Sequence, residues 1–312
     1  SGPCRFGQYN IFHRMVIRDL GIDNLMVFSP NQNENFYRQL GLAGDEFFLR
    51  AWEGVSLAGL LMKCLHQTRP YEKQPGESDH VYAGHLKTVY EVTRNRNGDF
   101  IRAADSIRRD FENIPVYRED RPLVGIIGEI FVRLNRFSNE DLVRKIEALG
   151  GEAYLTPFEE WINYINLMGH RSALIKKDLS GIITALLKRR FQLKVEHRLA
   201  ARFKGFLRHI HEPDTKKVLK YAEPYIHDSF EGEAVLSIGK CIDLAERGAA
   251  GIVNVMPFGC MPGTIVNALL RGIHNRYGMP VLGIPYDGTE SLTTAIQLEA
   301  FMDQSKEYMK RR

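Results

Sequence analysis

Residues 251–263 read Gly-Ile-Val-Asn-Val-Met-Pro-Phe-Gly-Cys-Met-Pro-Gly. The first six are almost wholly apolar, and the strand read here, Ile252 to Phe258, is of the kind covered on both faces. The Pro-Phe-Gly-Cys-Met-Pro-Gly that follows breaks the run into a turn and places a proline in the first turn of a helix. The same pattern recurs on either side. Leu123 to Phe131 (Leu-Val-Gly-Ile-Ile-Gly-Glu-Ile-Phe) is an apolar run interrupted only by Glu129, and Ser138 opens an amphipathic stretch with Leu142, Ile146 and Leu149 on one face before Gly150 and Gly151. Glu152 to Thr156 is a short second strand, and Val281 to Tyr286 follows a helix from Pro262 to Tyr277 that Gly278 is placed to cap. Strands alternating with helices in this order predict a small parallel α/β sheet of the Rossmann or flavodoxin-like kind, buried on both faces.

Working outward, residues 160–225 carry helical patterns throughout and form a large insertion. The dense basic stretch from Lys188 to Lys217 reads chiefly as a solvated helix face, with docking of an acidic partner or of cofactor phosphates as the alternative. Residues 1–120 form a smaller, mostly helical N-terminal lobe. Phe12, Met15, Val16 and Leu20 share a helix face before Gly21; Phe48, Ala51, Trp52 and Val55 mark a second helix; Leu25 to Phe28 is a lone strand. A lone strand must join the later sheet or belong to a truncated α/β domain whose partners lie upstream of Ser1. Pro115 to Pro122 interrupts the apolar patterns, so the expected domains are 1–120 and 121–312.

The 312 residues carry 42 Lys and Arg against 38 Asp and Glu, a net charge of +4 that is too weak a bias to imply nucleic acid. Apolar runs stay well short of the roughly 18 residues of a membrane span, and no signal-peptide core is present. The expectation is a cytoplasmic protein without a membrane partner. Four cysteines are too few for a disulfide scaffold.

Ligands of an open parallel sheet bind beyond the carboxyl ends of its strands. Those positions hold Glu129, Arg133 and Asn135; Pro157 and Glu159; Gly259, Cys260 and Met261; and Tyr286, Asp287 and Gly288. Cys260 precedes a helix N-terminus, where unpaired amides and the helix dipole favour a metal-binding thiolate, and Gly259 and Gly263 let backbone approach a bulky ligand. Cys4, in Ser-Gly-Pro-Cys-Arg-Phe-Gly, has a similar setting. Cys64 and Cys241 sit at helical apolar spacing and read as core. His209 and His211 read as surface residues on a basic helix. No Cys-x-x-Cys, His-Glu-x-x-His, Gly-x-Ser-x-Gly or Walker A pattern occurs, and Ser237 to Cys241 lacks the glycine and hydroxyl of a phosphate loop.

Four segments taken together resemble the 2-hydroxyacyl-CoA dehydratase family, and more narrowly the dehydratase-like C-terminal region of CoA-enzyme activase-related proteins. They are Gly-Pro-Cys-Arg-Phe-Gly-Gln-Tyr (2–9), Leu-Val-Gly-Ile-Ile-Gly-Glu-Ile-Phe-Val-Arg-Leu-Asn (123–135), Asn-Val-Met-Pro-Phe-Gly-Cys-Met-Pro-Gly (254–263), and Tyr-Asp-Gly-Thr-Glu with Gln-Leu-Glu-Ala-Phe (286–301). The resemblance implies an iron-sulfur cluster, [4Fe-4S] or double cubane, ligated by Cys4 and Cys260. It implies that Asn135 and Gly259 line the cofactor cavity, that Glu129 and Asp287 are candidate catalytic groups, and that an ATP-hydrolysing activator delivers one low-potential electron. Acyl-CoA and an oligomer are further implied partners. Two cysteines fall short of the four ligands of a cubane. An oxygen or nitrogen ligand, a small molecule, a second subunit or an upstream segment would complete the set, and the chain alone is expected to be inactive. The alternatives are a non-catalytic α/β module that binds acyl-CoA or docks the activator, and a structural zinc site.

Overall fold

The computed structural model describes residues 8–22, 24–25, 27, 45–289 and 292–312. Four parallel strands, β1 (Leu123–Gly128), β2 (Glu152–Leu155), β3 (Gly251–Pro257) and β4 (Val281–Tyr286), lie in the order β2-β1-β3-β4. All four coincide with the apolar runs of the sequence. The helices of the described residues are α1 (Tyr9–Asp19), α2 (Asp45–Thr68), α3 (Glu77–Arg94), α4 (Phe100–Glu112), α5 (Ile130–Leu134), α6 (Leu142–Ala148), α7 (Glu159–Ile175), α8 (Leu179–Ala200), α9 (Thr215–Ala222), α10 (Glu233–Glu246), α11 (Met261–Tyr277) and α12 (Leu292–Arg311). No helix among the described residues is long and apolar enough to cross a membrane.

Alternation of side chains along β1 divides the core. Val124 and Ile126 face one side, where Leu142 and Ile146 of α6 and Leu298, Phe301 and Met302 of α12 cover the sheet. Ile127 faces the other, packed with α9, α10 and α11. Helices on both faces of a parallel sheet make the α/β, flavodoxin-like arrangement expected from the sequence.

α10 lies deepest: every residue from Ala234 to Ala245 is buried. A helix covered all round must be apolar or must pair its polar groups, and α10 contains Lys240, whose side chain is 1% exposed. Its ammonium meets Glu212, Asp243 at 3.1 Å and Glu160 at 3.7 Å. Burial works against the Glu212 charge, yet Lys240, Lys63 and Arg247 hold that carboxyl well below the usual range. Ser237 to Cys241 is therefore the middle of a buried helix and not a phosphate loop. At Gly239 a Cβ would lie 2.1 Å from the Val218 carbonyl oxygen, so glycine sets the α9–α10 approach.

The helical lobe has its own core, built by α2, α4, the C-terminal half of α8 and Phe203. Trp52 Nε1 of α2 donates to the Gln192 carbonyl of α8 at 3.3 Å. The insertion thus returns to the N-terminal helices, and the lobe is not assembled from residues before 120 alone. Some local expectations change. Helix α1 forms where its pattern placed it, but none of its residues is buried. The proposed strand at 25–28 falls partly outside the described residues, and Leu25 and Val27 are not in a strand. His209 and His211 lie in the segment between Phe203 and α9, not on a helix, and His209 is half-buried.

Replacing Lys240 with Met should cost about 3–5 kcal/mol in urea denaturation, because Glu212 and Asp243 lose their central cation while still buried. A loss below about 1 kcal/mol would show that the network does not hold the layers together.

Candidate functional site at the carboxyl end of the sheet

The chain leaves β1 for β2 on one side and returns to β3 on the other. Strand order therefore reverses between β1 and β3, and a crevice opens beyond their carboxyl ends. The pairing runs from Val124↔Gly251 to Gly128↔Val255 and continues one residue further, since Glu129 N donates to the Val255 carbonyl at 2.9 Å. Gly128 has φ +108°, and a Cβ there would lie 2.1 Å from that same oxygen. Only glycine lets β1 turn into α5 this close to β3.

On the β3 side, Cys260 is the N-cap of α11. Its amide donates to the Pro257 carbonyl at 3.0 Å, and its own carbonyl accepts from the Thr264 amide at 3.0 Å and hydroxyl at 2.8 Å. The thiol makes no capping hydrogen bond to the helix and is half-buried. Gly259, at φ +70°, makes the turn and is exposed. Gly263, one turn into α11, would place a Cβ 2.5 Å from the Met256 sulfur, so the helix packs directly on its own strand.

On the β1 side, Glu129 caps α5, accepting from Phe131 N at 3.2 Å and Val132 N at 2.8 Å. A second carboxylate, Glu233 of α10, accepts from Ile130 N at 2.8 Å. Two carboxylates thus share one short helix start. Burial, and then the neighbouring Glu129, push Glu233 up to about 7. Buried Arg133 donates Nη1 to the Gly128 carbonyl at 3.4 Å, while its Nε finds no partner. The sequence reading did not single out Glu233; its only local signal is an acidic residue in the first turn after Gly232.

The remaining candidates serve their own turns. Asn135 ends α5, and its Oδ1 accepts from Ser138 N at 3.0 Å. Asp287 is exposed and accepts from the Thr289 amide at 2.9 Å and hydroxyl at 2.6 Å, which holds its carboxyl below the usual range. Glu159 opens α7 against Gly59 of the helical lobe, where burial pushes it to about 8. Cys64 and Cys241 are fully buried in two different cores, as the sequence implied. Burial pushes the Cys64 thiol well above its ordinary range and the Cys241 thiol up to about 12.

Cys4 lies outside the described residues, and among those described no three His, Cys, Asp or Glu side chains gather in metal-binding geometry. Among the described residues Cys260 alone offers an accessible thiol at the crevice, one ligand where a cubane takes four. The described residues do not by themselves fit a cluster.

Under native conditions Ellman's reagent should modify Cys260 at least tenfold faster than Cys64 or Cys241, read by peptide mapping; equal rates would remove the distinction between them. Glu233 yields a pH prediction. Its carboxyl is raised in the folded state, so the stabilisation is complete below about 4.5 and is lost as pH rises through about 7. Wild type should lose stability relative to Glu233→Gln across that window, and parallel stability curves would contradict the assignment. No family model, curated protein or solved structure matches the chain.

Proposed function

We propose that this chain is the electron-accepting, iron-sulfur-bearing part of a 2-hydroxyacyl-CoA dehydratase-like or double-cubane reductase system, acting in the cytoplasm with an ATP-hydrolysing activator. The observation that carries this reading is the position of Cys260. Its thiol stands at the strand-order reversal, at the start of a 17-residue helix, with a glycine on its N-terminal side in a left-handed turn. An amide-rich helix start stabilises a thiolate, and the exposed turn gives a bulky inorganic group room to approach.

Cys4 is the second sulfur ligand in this reading, and the rest of the ligand set comes from beyond the described residues. Glu129 and Glu233 gather at the start of the neighbouring helix. Glu233, poised near neutrality, is suited to hold or release a proton there, while Asn135 and Asp287 shape the two flanking turns. An acyl-CoA thioester is the substrate class that the sequence resemblance supplies.

A second reading rests on a different feature. The tip of the α7–α8 hairpin exposes Ile175 (83%) and Leu179 (74%) on either side of Lys177, and Leu187 (65%) and Arg190 are exposed further along α8. An apolar patch flanked by cations suits an acidic protein partner, and a module that docks the activator without a cluster would use it.

Anaerobic preparation of the natural polypeptide that carries this sequence separates the two. The redox reading expects iron and acid-labile sulfide, with Cys260→Ala losing most of both. Full iron retention in that variant would contradict ligation by Cys260, and no iron at all together with undiminished activator binding would favour the docking module.

A further inference from the structure

We propose that a second site, at the amino-terminal end of the sheet, binds the phosphate group of a small phosphorylated molecule. A cavity of about 230 Å³ lies there between the edge strand β2 and α2 of the helical lobe, at the end of the sheet opposite Cys260. It is independent of the redox reading.

The charged side chains that line it are mostly cationic. Four cations reach it from four separate segments: Lys63 from α2, Arg121 from just before β1, Arg208 from the segment after Phe203, and Arg247 from the turn before β3. One carboxylate, Glu152, joins them in the lining, and it is already engaged by Arg208 and by the Tyr71 hydroxyl at 2.6 Å. Behind the wall, Glu212 is shared by Lys63 at 2.5 Å and the buried Lys240, Asp243 by Lys240 and Arg247, and Glu119 pairs with Arg121.

Arg247 is the most telling residue. Its Nε is 3.0 Å from Asp243, but its Nη1 is shielded from solvent and makes no hydrogen bond; the nearby Glu212 oxygen is 3.9 Å away. Nη1 is turned away from the cavity in this arrangement, and a small rotation of the guanidinium toward a bound oxyanion would supply the acceptor it lacks and offset its desolvation. His66 completes the lining: burial, then Arg69, Arg144 and Arg136, push it down to about 3, so a neutral imidazole faces the anion. Forked guanidinium donors from separate loops match the several oxygens of a phosphate better than the two of a carboxylate. The volume exceeds that of a bare ion, leaving room for a small organic group.

The test is isothermal titration with inorganic phosphate at low ionic strength. Wild type should bind one phosphate with a Kd below about 1 mM, Arg247→Gln should weaken it by about tenfold or more, and Arg276→Gln, an exposed arginine on α11, should leave it unchanged. Acetate should bind at least about tenfold more weakly than phosphate. Met309→Trp, which fills the cavity without altering its charge, should abolish binding and decides the matter if Arg247→Gln does not fold. Absence of saturable binding up to about 20 mM phosphate, equal affinity in wild type and Met309→Trp, or equal affinity for acetate would overturn the proposal.

Discussion

The parallel pairing of β1 with β3 is the constraint from which the rest of the carboxyl-end site follows. Because these two strands are neighbours while the chain visits β2 between them, the connections leaving them diverge to opposite faces. The starts of α5 and α11 are then brought to one rim. Glycine at Gly128 permits a left-handed turn directly beneath the Val255 carbonyl, and Gly263 lets α11 rest on Met256. Any side chain at either position would push a helix start away from the crevice. The chemistry assigned to Cys260, Glu129 and Glu233 rests on two backbone approaches that leave no room for a Cβ.

A second constraint is electrostatic. The helical lobe and the sheet layer have separate apolar cores, and between them runs a set of buried ion pairs centred on Glu212, which receives Lys63 from α2 at 2.5 Å and Lys240 from α10. A buried carboxylate shared by cations from two layers fixes their relative position, since displacing either layer would strand a charge in a poorly solvated place. The same network turns its cationic side toward the cavity at the amino-terminal end of the sheet. The two ends of one sheet therefore differ in character: helix starts, a thiol and carboxylates at one, and convergent guanidinium groups at the other.

Much of the α/β domain was legible in the sequence. Apolar runs of four to seven residues, each followed by a turn and an amphipathic helix, identify all four strands, and the strand-end rule leads directly to Cys260 and Glu129. What was not legible depends on contacts distant in sequence. Glu233 reaches Ile130 across 103 positions, so no local pattern marks it. The cavity cations come from residues 63, 121, 208 and 247, each of which reads alone as an ordinary surface charge. The share of the insertion in the core of the helical lobe is hidden for the same reason. The pattern of α8 shows that it is a helix, but not that its C-terminal half packs against Trp52 rather than the sheet. His209 was read as helical because the basic stretch around it is helical on both sides, whereas Gly205 at φ +86° and Pro213 break the run.

The central functional claim is that the Cys260 sulfur is bonded to iron at the β1–β3 crevice. The most direct measurement is an anomalous difference map at the iron edge, from crystals of the natural polypeptide grown and frozen without oxygen. A peak within about 2.3 Å of Cys260 Sγ, the length of a metal–thiolate bond, is the predicted result. Iron located elsewhere in the molecule, with Cys260 bearing a free thiol, would contradict it.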